Sequence, residues 1–131
     1  MVFPYAAITA FGAGSIIVRV APHYLADQSD PAEPRFVWAY HVRVENHGGE
    51  PVQIVARNWV ITDGEGRTEQ VDGPGVVGQQ PVIAPAAAYD YVSGCPLVTP
   101  SGTMHGHYAM RTATAAFNAT IPLFRLEGPR Q

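Results

Sequence analysis

A length of 131 residues accommodates one domain and leaves little room for a second. Charged residues make up only 15% of the chain, while 13 glycines and 12 prolines provide for many turns. The net charge is −3 and the eight basic residues, all arginines, are scattered, which excludes the basic stripe that nucleic-acid binding requires. This composition favours a soluble, β-rich domain.

Cys95 is the single cysteine, which excludes an internal disulfide and a CxxC metal or redox motif. The N-terminus carries no charge before Arg19, but Pro4, Gly12 and Ser15 interrupt its apolar run and no basic residue opens it. The sequence therefore predicts neither a signal peptide nor a membrane span, and we expect a cytoplasmic protein without membrane association.

The N-terminal third begins without a clear pattern. The stretch Ala6–Ala10 is too short for an independent helix, and residues 1–14 are predicted to be an irregular extension. Ser15–Ala21, rich in β-branched residues, is predicted to be the first strand. A long loop is predicted over Pro22–Pro34.

The strongest pattern runs from Arg35 to Asn46, where bulky apolar side chains occupy every second position. The members of this face are Phe36, Trp38, Tyr40, Val42 and Val44. A period of two predicts a long β-strand with this face in the core and Trp38 buried.

Shorter strands are predicted downstream. They are Val52–Thr62, Arg67–Asp72, Val82–Ile83, Ala86–Ser93, Thr103–Met110 and Phe117–Leu126. The turn residues 63–66 indicate a hairpin between the first two of these, and Pro122 indicates an edge or a bulge in the last. No stretch predicts an amphipathic helix of three turns. Seven or eight short strands separated by Gly/Pro turns predict an all-β sandwich.

A glycine motif of the form GxGxxG falls in the predicted loop Gly73–Pro81, at Gly73, Gly75 and Gly78. A dinucleotide fold would place a helix after it, whereas a strand is predicted there. Two interpretations stay open: a connection that needs positive φ, or a nest of backbone N–H groups that holds an anion.

His105 and His107 form an HxH pair on one face of a predicted strand. Such a pair can hold a metal ion if a third ligand is near, although ordinary strand histidines show the same spacing. Arg57 and Trp59 also share a strand face; we expect Trp59 in the core and Arg57 to need an acidic or anionic partner.

Sequence signatures of catalysis are absent. Ser93-Gly94 lacks a GxSxG elbow, and Cys95 has no neighbouring base in the sequence. We therefore expect a protein that is not an enzyme.

Several blocks of the sequence, taken in order, resemble the ApaG family. They are Gln28-Ser29, Phe36–Tyr40, Pro51–Ile54, Arg57–Thr62, Gly73–Pro81, Ser93-Gly94, Thr99–Met110 and Ile121–Leu126. The resemblance spans residues 16–126 and implies one ApaG-like domain over residues 1–131, with an immunoglobulin/fibronectin type III-like sandwich of seven to eight antiparallel strands.

The resemblance also implies a bacterial cytoplasmic protein linked to cobalt resistance and magnesium efflux, with related domains that look like protein-binding modules. No catalytic residues are established for the family, so none is carried over. A pyrophosphate-binding role has been suggested for the family's glycine motif, but Pro74 removes one N–H from such a nest.

The sequence thus predicts a non-catalytic binding module without a cofactor, with Gly73, Gly75, Gly78 and Arg57 as candidate ligand-binding residues. Its expected partner is a protein or a small anionic ligand. One alternative is a phosphate-, pyrophosphate- or nucleotide-binding protein or hydrolase that uses the glycine loop. Another is a divalent-metal role for the histidine pair. Sandwich edges often pair, so a monomer and a weak homodimer are both compatible with the sequence.

Overall fold

The structure, a computed structural model, describes residues 2–129. These residues contain nine β-strands and one turn of 3-10 helix (Ala26–Gln28). The strands are β1 (Tyr5–Phe11), β2 (Gly14–Tyr24), β3 (Phe36–Asn46), β4 (Val52–Asp63), β5 (Thr68–Pro74), β6 (Val82–Ile83), β7 (Ala88–Leu97), β8 (Ser101–Arg111) and β9 (Ala116–Glu127). Two antiparallel sheets result, ordered β1-β2-β3-β7 and β5-β4-β8-β9, with β6 paired to β4. The predicted all-β sandwich is confirmed. No helix within residues 2–129 has the length and apolarity needed to cross a bilayer.

The alternation predicted around Trp38 produces the core strand β3, which lies between β2 and β7. Trp38 is 1% exposed, and its indole N–H donates to the Glu127 carbonyl oxygen at 2.9 Å. This hydrogen bond joins the two sheets and satisfies the polar atom of a buried ring. His41 and Arg43, which alternate with this face, are half-buried on the other side of the sheet.

The N-terminal prediction is wrong. Within residues 1–14, predicted to be irregular, Tyr5–Phe11 form β1, which pairs with β2 from Tyr5 opposite Val20 to Phe11 opposite Gly14. Met1 lies outside the described residues. The strand was missed because apolar residues occupy both of its faces, with Tyr5 and Phe11 on one and Ile8 on the other, so apolar and polar residues do not alternate. It forms through pairing with β2 and packing near β9. Counting β1 and the two-residue β6, residues 2–129 contain more strands than the seven or eight predicted.

Two β-bulges determine which side chains enter the core. In β4 the register shifts between Ile54 and Ala56, so the inward-facing positions change from even numbers before Val55 to odd numbers after it. Arg57 and Trp59 therefore face the space between the sheets. In β9 the register shifts around Pro122, which confirms the predicted irregularity.

The sandwich has two unlike sides, which we name the closed seam and the open seam. At the closed seam β1 covers the edge of β9: the backbone N–H of Thr120 donates to Thr9 Oγ1 at 2.9 Å and that of Arg125 to Tyr5 Oη at 3.3 Å. At the open seam the edge strands are β5 and β7. Within residues 2–129 no hydrogen bond joins β5 to β7, so a cleft remains between them.

Candidate functional site

The glycine motif runs from the end of β5 into a tight hairpin turn. Val76 and Gln79 exchange two backbone hydrogen bonds, of 2.8 and 2.9 Å. Between them, Val77 and Gly78 have φ of 42° and 80°, and positive φ at both central residues is characteristic of a type I′ turn. Of the predicted loop Gly73–Pro81, the first two residues therefore end β5, and residues 76–79 form an ordered hairpin with a two-residue turn.

Each glycine of the motif has a separate steric reason. Gly78 has the positive φ of the turn. Gly75, with φ of 60°, is buried, and a methyl group on it would overlap the Gln79 carbonyl oxygen. A Cβ atom at Gly73 would lie 2.8 Å from Arg57 Nη2, so the missing side chain leaves space for the guanidinium. The backbone geometry of the hairpin explains Gly75 and Gly78, and the space that the Arg57 guanidinium occupies explains Gly73.

The bulge in β4 anchors this hairpin to the sheet. The carbonyl oxygen of Val55, the bulge residue, accepts from the Gly75 N–H at 2.8 Å and from Gln80 Nε2 at 2.9 Å. The N–H of Val76 is used within the turn, and Pro74 has none to offer. These contacts occupy donors that an anion-binding nest would need.

The structure brings Arg57 together with the glycine motif. Its Nη1 atom donates to the carbonyl oxygens of Pro74 at 2.9 Å and Gly75 at 3.1 Å. Within residues 2–129 the guanidinium forms no ion pair, and its Nε and Nη2 donors have no acceptor there. An oriented guanidinium with free donors on one side is suited to a carboxylate or a phosphate.

Arg57 also lines a cleft of about 340 Å³ at the open seam. Its walls include Trp59, Ile61 and Val71 from one sheet and Tyr40, Ser93 and Cys95 from the other. The volume falls at the lower end of the range of about 300 to 1,000 Å³ that small-ligand sites occupy. The predicted burial of Trp59 is confirmed at 3% exposure, and its ring forms part of the cleft.

Two charged side chains, Arg57 and Glu69, are among the residues that line the cleft. Burial raises the pKa of Tyr40, which the Ser93 hydroxyl partly opposes. Burial, with a smaller contribution from Glu69, raises the pKa of the Cys95 thiol to about 11. Both groups therefore remain neutral near pH 7, and the cleft has mixed polar and apolar walls that include one cation and one anion.

The raised pKa of Cys95 predicts a loss of stability in alkaline solution. Because the thiol's pKa is 9.0 ordinarily and about 11 when folded, its contribution is present below pH 9 and is lost as the pH rises through 11. We expect the free energy of unfolding, measured by urea titration, to fall less steeply over this range in Cys95→Ala than in the unsubstituted protein. Parallel pH profiles for the two proteins would contradict this role of the thiol.

The histidine pair lies elsewhere. His105 and His107 are on β8, opposite Val60 and Asn58 of β4, on the outer face of the sheet. Within residues 2–129 no three His, Cys, Asp or Glu side chains converge into a group that could hold a metal ion. The structure does not bring the pair together with the cleft.

Comparison with known proteins places the chain in a family. A family model, described as the ApaG domain, matches residues 26–112. The chain belongs to the ApaG family. Protein ApaG of Rhodospirillum centenum is 58% identical over 116 residues, which cover 88% of this chain and 89% of that protein. Protein ApaG of Maricaulis maris is 55% identical over 113 residues, covering 86% of this chain and 87% of that protein.

A solved structure agrees with the ApaG assignment. The crystal structure of a Bordetella pertussis protein described as ApaA has a TM-score of 0.84 and 47% sequence identity to this chain, and the match covers 88% of this chain and 95% of that one. The ApaG match of residues 26–112 extends from the 3-10 turn through β8. It therefore includes the glycine motif, Arg57 and the residues named above as walls of the cleft, whereas β1 and β9 of the closed seam lie outside it.

Sequence reasoning missed half of this ApaG cleft. Tyr40 was predicted only as a core residue. Ser93 and Cys95 were considered only as nucleophiles and rejected, and Glu69 was not considered. One available signal was the alternation of β5, which puts Glu69 on the same face as Val71.

Proposed function

We propose that this ApaG-family chain is a non-catalytic binding module that takes a negatively charged group in the cleft of the open seam, on Arg57. The observation that carries the proposal is the state of the guanidinium. Two carbonyl oxygens hold it by Nη1, and within residues 2–129 its remaining donors have no acceptor. The arginine is thus oriented before a ligand arrives, which lowers the entropy cost of binding.

The electrostatics of the cleft support binding rather than catalysis. Tyr40 and Cys95 are neutral near pH 7, because burial raises the pKa of each. Within residues 2–129 the cleft pairs neither group with a histidine that could act as a base. The apolar walls favour a ligand with an apolar body beside its anionic group.

The same geometry favours Arg57 over the backbone of the glycine loop as the group that would bind a phosphate. The loop uses the N–H groups of Gly75 and Val76 internally, whereas a carboxylate or a phosphate can each accept from a guanidinium. Phosphate or pyrophosphate binding, if it occurs, therefore uses the arginine in this proposal.

Two further expectations stay predictions. A cytoplasmic location fits the free, buried thiol of Cys95. For the link to cobalt and magnesium that the family resemblance implies, we propose a route through a bound partner, because His105 and His107 have no third ligand within residues 2–129.

The chain contains its own reporter for this binding. Of its two tryptophans, Trp59 lines the cleft and Trp38 is hydrogen-bonded to the Glu127 carbonyl oxygen. We expect titration with N-acetylglycine or inorganic phosphate, followed by nuclear magnetic resonance of the two indole N–H groups, to shift the signal of Trp59 saturably and to leave that of Trp38 in place. Equal movement of both signals, or of neither, at millimolar anion would overturn the proposal.

Variants test the role of the guanidinium. Arg57→Gln should weaken the Trp59 response by about tenfold or more, as loss of an ion-paired hydrogen bond predicts. Arg125→Gln removes the same charge from an outward position on β9 and should bind anions as the unsubstituted protein does. Arg57→Lys keeps the positive charge but removes the guanidinium that contacts the two carbonyl oxygens, so it separates the effect of the charge from the effect of those contacts. Identical anion binding by the Arg57→Gln and Arg125→Gln variants would contradict the assignment.

A further inference from the structure

The carboxylate of Glu69 and the guanidinium of Arg57 lie near opposite ends of β5. Across the β4–β5 pair, Glu69 is opposite Ile61 and Gly73 is opposite Arg57, whose guanidinium lies against Gly73. Gly73 follows Glu69 by four positions, which corresponds to about 13 Å between their Cα atoms at the usual rise per residue of a β-strand. Between these ends the wall consists of apolar side chains, among them Val71.

Glu69 is exposed at the rim of the cleft and its carboxylate is open to an incoming ligand. Within residues 2–129 its carboxylate forms no ion pair and no side-chain hydrogen bond. The nearest identified influence is on the Cys95 thiol of the opposite sheet. The cleft therefore has an unpaired cation at one end and an unpaired anion at the other.

We infer that the cleft binds an extended peptide segment that has an acidic and a basic side chain four positions apart, with the acidic group on Arg57 and the basic group on Glu69. This inference rests on the proposed function, since it assigns the anionic group to the same arginine. Side chains at positions i, i+2 and i+4 of a strand point to one side, so the residue between the two charges faces the apolar wall.

The spacing favours a peptide over a compact zwitterion. In a free amino acid the two charges lie on adjacent groups and cannot reach both ends of a site about 13 Å long, whereas an extended chain spans it in four residues. The edges of β5 and β7 also flank the cleft, and unpaired sheet edges can add a strand through backbone hydrogen bonds.

Three capped heptapeptides test the inference against the full chain. The bipolar peptide is acetyl-Thr-Glu-Thr-Val-Thr-Lys-Thr-amide; in the other two, Lys is replaced by Glu, or both charged residues are replaced by Gln. With the Trp59 signal as readout, we expect the bipolar peptide to bind about tenfold more tightly than the doubly acidic one, since one favourable pair replaces one repulsive pair. The neutral peptide should be weaker than the bipolar one.

Glu69 can be changed without breaking an identified contact. Glu69→Lys should reverse the preference, so that the doubly acidic peptide binds more tightly than the bipolar one. Glu69→Gln should reduce the preference, and the matched control Gln70→Lys, which adds the same single charge on the outer face of β5, should retain it.

The outcomes separate this inference from the proposed function. A reversed preference in Glu69→Lys supports the peptide assignment. If simple anions shift Trp59 but the bipolar and doubly acidic peptides bind equally, or if Glu69→Lys leaves their order unchanged, the bipolar inference is wrong and anion binding at Arg57 stands. If neither simple anions nor any of the peptides shift Trp59, both are wrong.

Discussion

We expect Gly75→Ala to destabilise the fold by about 2–5 kcal/mol, the sum of about 1–2 kcal/mol for a left-handed alanine and about 1–3 kcal/mol for overpacking. The glycine has φ of 60°, and its Cβ position is occupied by the Gln79 carbonyl oxygen. A methyl group would push this oxygen away and break the two hydrogen bonds between Val76 and Gln79. Urea unfolding followed by tryptophan fluorescence measures the loss.

The neighbouring turn residues provide matched controls. At Gly78, φ is 80° but nothing lies within 4 Å of the Cβ position, so Gly78→Ala should cost only the conformational part, about 1–2 kcal/mol. Val77 is a β-branched residue with φ of 42°, a strained combination, so Val77→Asn should stabilise the fold by about 1 kcal/mol. Equal losses for Gly75→Ala and Gly78→Ala would show that the close approach to Gln79 contributes nothing.

The second large effect is expected at Trp38. Trp38→Ala should lower the free energy of unfolding by about 3–5 kcal/mol, the range for truncation of a buried aromatic residue. The side chain is 1% exposed, packs edge-on against Tyr24 with ring centroids 5.4 Å apart, and links the sheets through Glu127. Truncation therefore removes apolar burial, an aromatic contact and an inter-sheet hydrogen bond together.

Trp38→Phe separates these contributions. It keeps an aromatic ring but removes the N–H donor, which leaves the Glu127 carbonyl oxygen without this partner. A loss of about 1–3 kcal/mol is expected, as for a buried polar group without its partner. Should Trp38→Ala unfold at the same urea concentration as the unsubstituted protein, the position of Trp38 in a shared core would be contradicted.

The parts of the fold that could be predicted from sequence are those with local signals. β3 was predicted because bulky side chains alternate along it, and the irregularity at Pro122 because proline lacks an N–H. β1 lacked such a signal: its stability depends on β2 and on contacts with β9, more than a hundred residues away in the chain.

The candidate site was predictable to the same extent. Arg57 and the glycine motif could be grouped because each is unusual in its own segment. The bulge at Val55 turns Arg57 inward, but the apolar residues around Val55 give no sequence signal of a bulge. Cys95 and Glu69 influence each other although they lie on strands of different sheets. Convergence across a sandwich depends on how the sheets stack, and no local pattern records it.

The difference between the closed seam and the open seam also predicts which strands separate first in a local unfolding event. The side-chain hydroxyls of Thr9 and Tyr5 tie β1 to the backbone of β9, whereas within residues 2–129 β5 and β7 have no corresponding bond. A sub-global fluctuation can separate β5 from β7 while the other side stays intact, at a free energy below that of complete unfolding. We therefore expect amide hydrogen exchange to be faster along β5 and β7 than along β1 and β9, and the proposed peptide would enter the cleft between β5 and β7 during this local opening.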